Sequence, residues 1–325
     1  MHKKTQKRPA GLYRRSGAAY HGMSRRASAG AGFGDRDRQE KAETQALPQA
    51  QPRRKEQQEV VIQIPFGMPQ DYEPTSDADS ESELDVALAA ELQAALVPSD
   101  WHIDAPNYQA AALNRMCGRV GGDFCDFIRI NSDQVAVAVG DVGSHGVRAS
   151  LLMARIMGLL HHRPPECSRP SAIVRMVNEM LLDLGDHLGT AMNCSLFYVV
   201  LDTPTGAAFF VNNGLPLPML TDRRSGMPLS LGPQGTMLGI RDFEPEEGCH
   251  TFMPGERLTL CSDGVFDAAD RRGLPFGANR IENVLRNYAQ ASCQACAEAV
   301  FNAVDDFRRG ARQRDDETIL IVDRL

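Results

Sequence analysis

The chain has 325 residues, 42% of them apolar, and a formal net charge of −7, enough for one substantial domain with appendages. Residues 1–58 hold 5 Lys and 9 Arg against 5 acids, or +9, so −16 falls on the remainder, and every lysine lies in that first segment. The acidic remainder argues against a catalytic domain that binds nucleic acid. No run approaches the roughly 18 apolar residues of a membrane span, and the basic start lacks the apolar core of a secretory signal, so a cytoplasmic protein with reduced cysteines is expected.

Residues 1–82 read as a disordered basic tail and an acidic linker, because Lys, Arg, Gln, Ala, Gly and Ser without aliphatic periodicity cannot offset ordering entropy. VVIQIPF at 60–66 is an apolar island in it: a docking motif, a strand added to the domain, or an isolated sticky patch. A leading helix is expected over 83–98, with Asp79 and Ser80 as caps and Leu84, Leu88, Leu92 and Leu96 as an apolar stripe that either packs on the following domain or meets a partner. Strands follow at 108–115, 123–130 and 134–141, then long helices at 147–162 and 170–187 around a Pro-rich break. Strands return at 194–202, 207–213, 217–221 and 257–262; helices at 279–289 and 292–309 and a closing strand at 318–322 complete the chain. Paired helices between hairpin-like strands indicate an α+β fold. Cys293 and Cys296 form a lone CxxC on a helix and read as ordinary helix-face residues. No repeat, GxGxxG or P-loop is present.

Four short segments carry the chemistry: VGGDF around Asp123, VGDVGSHG around Asp141, LCSDGVFD around Asp263, and RDDET around Asp315 and Asp316. Three of them set an aspartate against glycine beside an apolar, β-branched run, where a carboxylate at a strand end approaches a metal without obstruction. Gathered carboxylates repel and raise one another's proton affinity unless a divalent cation offsets them. Mg²⁺ and Mn²⁺ suit such oxygen ligands.

With AAELQAALVP (89–98), VGGDFCDF (120–127), VAVGDVGSHGVRASLLMA (137–154), SLFYVVLD (195–202), VNNGLPLPML (211–220), LTLCSDGVFDA (258–268) and DDETILIV (315–322), the chain resembles the bacterial sporulation and sigma-regulatory serine phosphatases. These are a branch of the metal-dependent protein phosphatase 2C (PPM) superfamily. The similarity runs from about Glu83 to Leu325, with order and spacing in agreement. It implies two antiparallel β-sheets sandwiched between pairs of α-helices, with a PPM-type domain over 99–325. It also implies that Asp141 bridges two ions, Mn²⁺ or Mg²⁺, with Val142 lending its backbone carbonyl. Asp263 binds one ion, and Asp123 completes the shell directly or through water. Counting back from Thr318 favours Asp315 as a further ligand, with Asp316 where relatives carry Asn. Relatives often carry Lys or His at His145, which either meets the substrate phosphate and the leaving alkoxide or caps the helix starting near Gly146. Arg119 either pairs bidentately with a phosphoryl group or is a solvated face residue. The family's N-A-G-H-x-P is replaced by Asn213, Gly214, Leu215 and Pro216, removing a polar side chain near the site.

The function expected is a protein serine/threonine phosphatase in which a metal-bound hydroxide attacks a phosphoserine or phosphothreonine, with no enzyme nucleophile. The implied partner is a phosphorylated signalling protein, such as an anti-sigma-factor antagonist. Regulation would come from a separate upstream protein or a homodimer through the 83–98 helix. A non-catalytic binding module of the same fold, or a phosphatase of a small molecule, are the competing readings.

Overall fold

Alternate residues of one central strand, Gln134–Val142, are buried on opposite sides: Val135, Val137 and Val139 enter one apolar cluster, and Ala136 and Ala138 the other. A strand covered on both faces needs a continuous apolar run rather than alternation, which is why VAVAV stands there. The computed structural model describes residues 77–97, 103, 105, 107–162 and 169–325. The basic tail, the VVIQIPF island and most of the acidic linker lie outside the described residues.

In chain order the elements are α1 (Asp77–Leu96), β1 (Tyr108–Arg115), β2 (Phe124–Arg129), β3 (Gln134–Val142), α2 (Val147–His161), α3 (Pro170–Leu188), β4 (Cys194–Asp202), β5 (Ala207–Asn213), β6 (Met219–Asp222), β7 (Pro228–Ser230), β8 (Gly248–Thr251), β9 (Glu256–Cys261), α4 (Asp263–Phe266), α5 (Ala278–Asn287), α6 (Cys293–Arg308) and β10 (Glu317–Arg324). Two antiparallel five-stranded sheets run β1-β10-β9-β6-β7 and β2-β3-β4-β5-β8. The first cluster fills the space between the sheets and continues to Ile281, Leu285, Val300 and Val304 of α5 and α6. The second packs α2 and α3, through Ile156, Leu160, Val174 and Val177, on the other face of the β3 sheet. This is the expected sandwich of two sheets between helix pairs.

Three elements escaped sequence reading. β7 has three residues and opens on a proline, β8 is the short GCHT segment, and α4 is one turn. Edge strands and single turns bury too little to impose a period on the sequence. The leading helix also starts earlier than expected: it begins at Asp77, so Asp79 and Ser80 lie inside α1 rather than capping it. Its leucine stripe does not pack on the domain. Leu84, Leu88, Leu92 and Leu96 are all exposed, while Gln93 and Val97 are buried.

β10 is buried along its whole length, and its charged Asp323 is fully enclosed with Arg257 of β9. The Arg257 Nε and Nη2 donate to the two carboxylate oxygens of Asp323 at 2.7 and 2.8 Å, and its other contacts are the carbonyls of Tyr288 and Ala291. Removing one partner of such a pair leaves an uncompensated buried charge. Asp323→Asn is therefore expected to lower unfolding free energy by about 3–5 kcal/mol, read from urea denaturation; an unchanged midpoint would contradict this role.

Candidate active site

Antiparallel pairing sets Phe124 opposite Gly140 in one sheet and Ile319 opposite Cys261 in the other. The start of β2, the end of β3, the end of β9 and the start of β10 therefore lie at ends where the two sheets are tied together. Asp123 immediately precedes β2, Asp141 is the penultimate residue of β3, Asp263 opens α4 after β9, and Asp315 stands two residues before β10.

Hydrogen bonds between the sheets lock this junction. The Thr318 hydroxyl donates to Asp123 Oδ2 at 2.6 Å and accepts from Asn114 Nδ2 at 2.8 Å. The Thr318 amide donates to Ser262 Oγ at 3.0 Å. Asp316 is a clamp: its carboxylate accepts the amides of Cys117 at 2.7 Å and Gly122 at 2.9 Å. Its own amide donates to Asp315 Oδ1 at 2.9 Å. The two neighbouring aspartates thus divide their tasks, with buried Asp316 holding the Asp123 loop and exposed Asp315 standing beside the cluster.

The motif glycines are required by close approach. A Cβ on Gly121 would fall 2.0 Å from Asp316 Oδ2, on Gly122 2.7 Å from the Val142 carbonyl, and on Gly264 1.9 Å from the Asp316 carbonyl. Each separation is far inside van der Waals contact, so a side chain at Gly122 or Gly264 would have to move backbone, and one at Gly121 would have to displace the Asp316 carboxylate and the Met116 sulfur.

The electrostatics show how closely the aspartates are gathered. Asp141 is pushed up from its ordinary 3.8 to about 7, first by burial and then by the charges of Asp263 and Asp315, while a hydrogen bond with Asp123 acts the other way. Burial, then Asp141 and Asp316, hold the Asp123 carboxyl well above the usual range. Asp263 is raised by burial, Asp315 and Asp267, and Asp316 by burial, against the amides of Cys117 and Gly122. Among the described residues no three His, Cys, Asp or Glu side chains already form a cage for an ion. Even so, a set of hard oxygen donors that destabilise one another's charge fits a divalent cation.

The Val142 carbonyl faces Gly122 and accepts the Ser144 amide at 2.6 Å. His145 is exposed in the loop between β3 and α2, and the N-cap position of α2 falls to Gly146. Arg119 shares the loop of Asp123, and its Nη1 donates to the Glu83 carbonyl of α1 at 3.2 Å. Sequence reading missed Thr318, Ser262 and Asn114 as supports of Asp123, because their roles arise from pairing across 56 and 204 positions. It also missed Gln93, whose side-chain amide donates to the Gly121 carbonyl at 2.9 Å and accepts the Gly121 amide at 3.2 Å.

Two antiparallel sheets between helix pairs, with carboxylates gathered where strands of both sheets end, define a PP2C-like phosphatase domain. The family model of Stage II sporulation protein E (SpoIIE) matches residues 131–325, and the chain belongs to that family. The matched span includes Asp141, Asp263 and Asp315 and begins after Asp123. The phosphoserine phosphatase RsbU of Bacillus subtilis (strain 168) is 19% identical over 82% of this chain and 78% of its own length. Among solved structures, the SiaA-PP2C domain of Pseudomonas aeruginosa superposes with a TM-score of 0.66 at 22% identity, covering 77% of this chain and all of that domain. RsbX in complex with magnesium superposes at 0.52 and 14% identity, covering 68% of this chain and 96% of that one. At these identities the solved structures speak for the fold.

Two outcomes are expected from this geometry. Gly264→Ala should cost roughly 1–3 kcal/mol of stability by overpacking and displace Asp316, measured by thermal melting. A raised carboxyl binds its proton more tightly in the folded state, so its stabilising effect is complete below 3.8 and lost as pH rises toward about 7. In EDTA, the melting temperature should therefore fall across that window more steeply for the wild type than for Asp141→Asn, and an identical profile for both would refute the coupling.

Proposed function

We propose that the chain is a protein phosphatase that removes phosphate from phosphoserine or phosphothreonine with two bound Mn²⁺ or Mg²⁺ ions, and that residues 99–325 form its catalytic domain. The observation that carries this reading is the convergence of Asp123, Asp141, Asp263 and Asp315 from both sheets, each of the first three with its proton affinity raised. Membership of the SpoIIE family, the phosphoserine phosphatase activity in the name of RsbU, and the magnesium bound by RsbX support it.

Asp141, Asp263 and Asp315, with Asp123 and the Val142 carbonyl, would hold the ions. When bound, such a pair supplies an acidified water and offsets the charge of the phosphate. The protein's own contribution is placement. Thr318 and Ser262 orient Asp123, and the Asp316 clamp fixes the loop that carries it. His145, on the exposed β3–α2 loop, is the group assigned to give a proton to the leaving serine or threonine oxygen. Arg119 is assigned to bidentate contact with the phosphoryl oxygens. The substrate is read as a phosphorylated signalling protein of the anti-sigma-factor-antagonist kind.

Purified protein is expected to hydrolyse p-nitrophenyl phosphate and a phosphoserine peptide only with added Mn²⁺ or Mg²⁺. Asp141→Asn and Asp263→Asn should each reduce turnover to background. Steady hydrolysis in excess EDTA would reject this function, and preference for phosphorylated metabolites over phosphopeptides would move it to a small-molecule phosphatase.

A further inference from the structure

The chain has no lysine beyond residue 58, so every cationic side chain of the acidic remainder is an arginine or histidine. Several arginines are tied down: Arg115 to Asp305 and Glu317, Arg223 and Arg257 to Asp323, Arg308 to Asp305 and Glu317, and Arg324 to the carbonyls of Pro204, Thr205 and Phe252. Arg155, Arg241 and Arg286 have no ion-pair partner among the described residues, but such arginines are most concentrated in the segments next to the carboxylate cluster. The segment 308–314 reads RRGARQR and runs directly into Asp315, while Arg271 and Arg272 follow the Asp263 turn by eight and nine residues.

The backbone turns this segment toward the site. α6 ends at Arg309 in the left-handed region, φ 50, followed by Gly310 at φ 76. The side chain of Gln313 then anchors the loop inward, donating to the carbonyls of Arg115 and Asp315 at 2.8 Å each, and its own carbonyl faces Cys117 Sγ at 3.5 Å. Arg312 and Arg314, on either side of Gln313, are both exposed. Arg312 stands near enough to Cys117, whose amide binds Asp316, to act on that thiol. Arg271 reaches the same loop: a Cβ on Gly310 would meet its Nη2 at 3.3 Å. Arg271, Arg309, Arg312 and Arg314 are exposed, and no carboxylate among the described residues lies within ion-pair distance of any of them.

Guanidinium groups with no carboxylate partner among the described residues remain available to a ligand. Their charge is complementary to that of an anionic partner and offsets the repulsion that a protein with −16 outside its tail exerts on one. The phosphorylated residue itself goes to the carboxylate cluster, so the rim is left for what flanks it. We infer that Arg271, Arg312 and Arg314 form a docking collar for acidic side chains next to the phosphorylated residue of a protein substrate. This inference rests on the phosphatase reading of the site and adds the substrate's chemistry to it.

The test uses the full chain with Mn²⁺ and two phosphoserine peptides of equal length, one flanked by Asp and Glu, the other by Ser and Gln. The wild type is expected to favour the acidic peptide by about tenfold in kcat/KM, as three rim charges of modest individual weight would give. The preference should fall to about threefold or less in Arg312→Glu/Arg314→Glu and in Arg271→Glu. It should also weaken in high salt, where screening shortens to about 3 Å at 1 M. Fluorescence anisotropy of the labelled acidic peptide gives a second readout that needs no turnover and should show the same loss. Equal use of both peptides by the wild type, or an acidic preference that survives all three reversals, overturns the collar. Binding of an oligonucleotide as tightly as the acidic phosphopeptide overturns it as well, by marking a surface for any polyanion. Absence of p-nitrophenyl phosphate hydrolysis would instead remove the phosphatase reading beneath it.

Discussion

The structure is organised around the cost of holding several carboxylates together. Asp123, Asp141, Asp263 and Asp316 all have proton affinities raised, with burial first among the causes and neighbouring aspartates next. Left to themselves these groups would move apart or take up protons. They are held by features that do not depend on charge: strand register, the Thr318 hydroxyl on Asp123, and glycines so close to their neighbours that any side chain would displace them. The apolar clusters on both faces of the β3 sheet supply the rigidity against which that repulsion works.

Asp315 and Asp316 show how one dipeptide serves two purposes. Asp316 faces inward and spends its carboxylate on the amides of Cys117 and Gly122, binding the loop of one sheet to the leading end of a strand in the other. Asp315 faces outward beside Asp263 and Asp141. The same loop carries Gln313 inward and Arg312 and Arg314 outward, so the arrangement that fixes the cluster also sets the charge at its rim. Regions on the far side contribute differently: the enclosed Arg257–Asp323 pair and the α5–α6 packing stabilise the sheet from which β9 and β10 end at the site.

Much of this was legible in the chain. β1, β4 and β5 are found at their expected residues, because long apolar or alternating runs bounded by turn residues have few other ways to be buried. The four aspartate segments stood out because each couples a carboxylate to a motif or strand end. What escaped reading was short or distant. β7, β8 and α4 bury too little to pattern their sequence, and α1 begins six residues before the stretch its leucines marked. Those leucines form a stripe that the described domain leaves exposed, whereas the contact with the site is made by a polar residue, Gln93, that no periodicity singles out.

By itself the sequence determined the class of fold, the order of its main elements and the identity of the acidic residues, since those depend on local period and on residues close together in the chain. Only the tertiary structure decided which aspartate clamps and which faces the cluster, that Thr318, Ser262 and Asn114 support Asp123, and that Arg271 meets the loop carrying Arg312 and Arg314. Those facts come from strand pairing and loop turns that join positions up to two hundred residues apart, and contacts over such separations leave no periodic trace in a single chain.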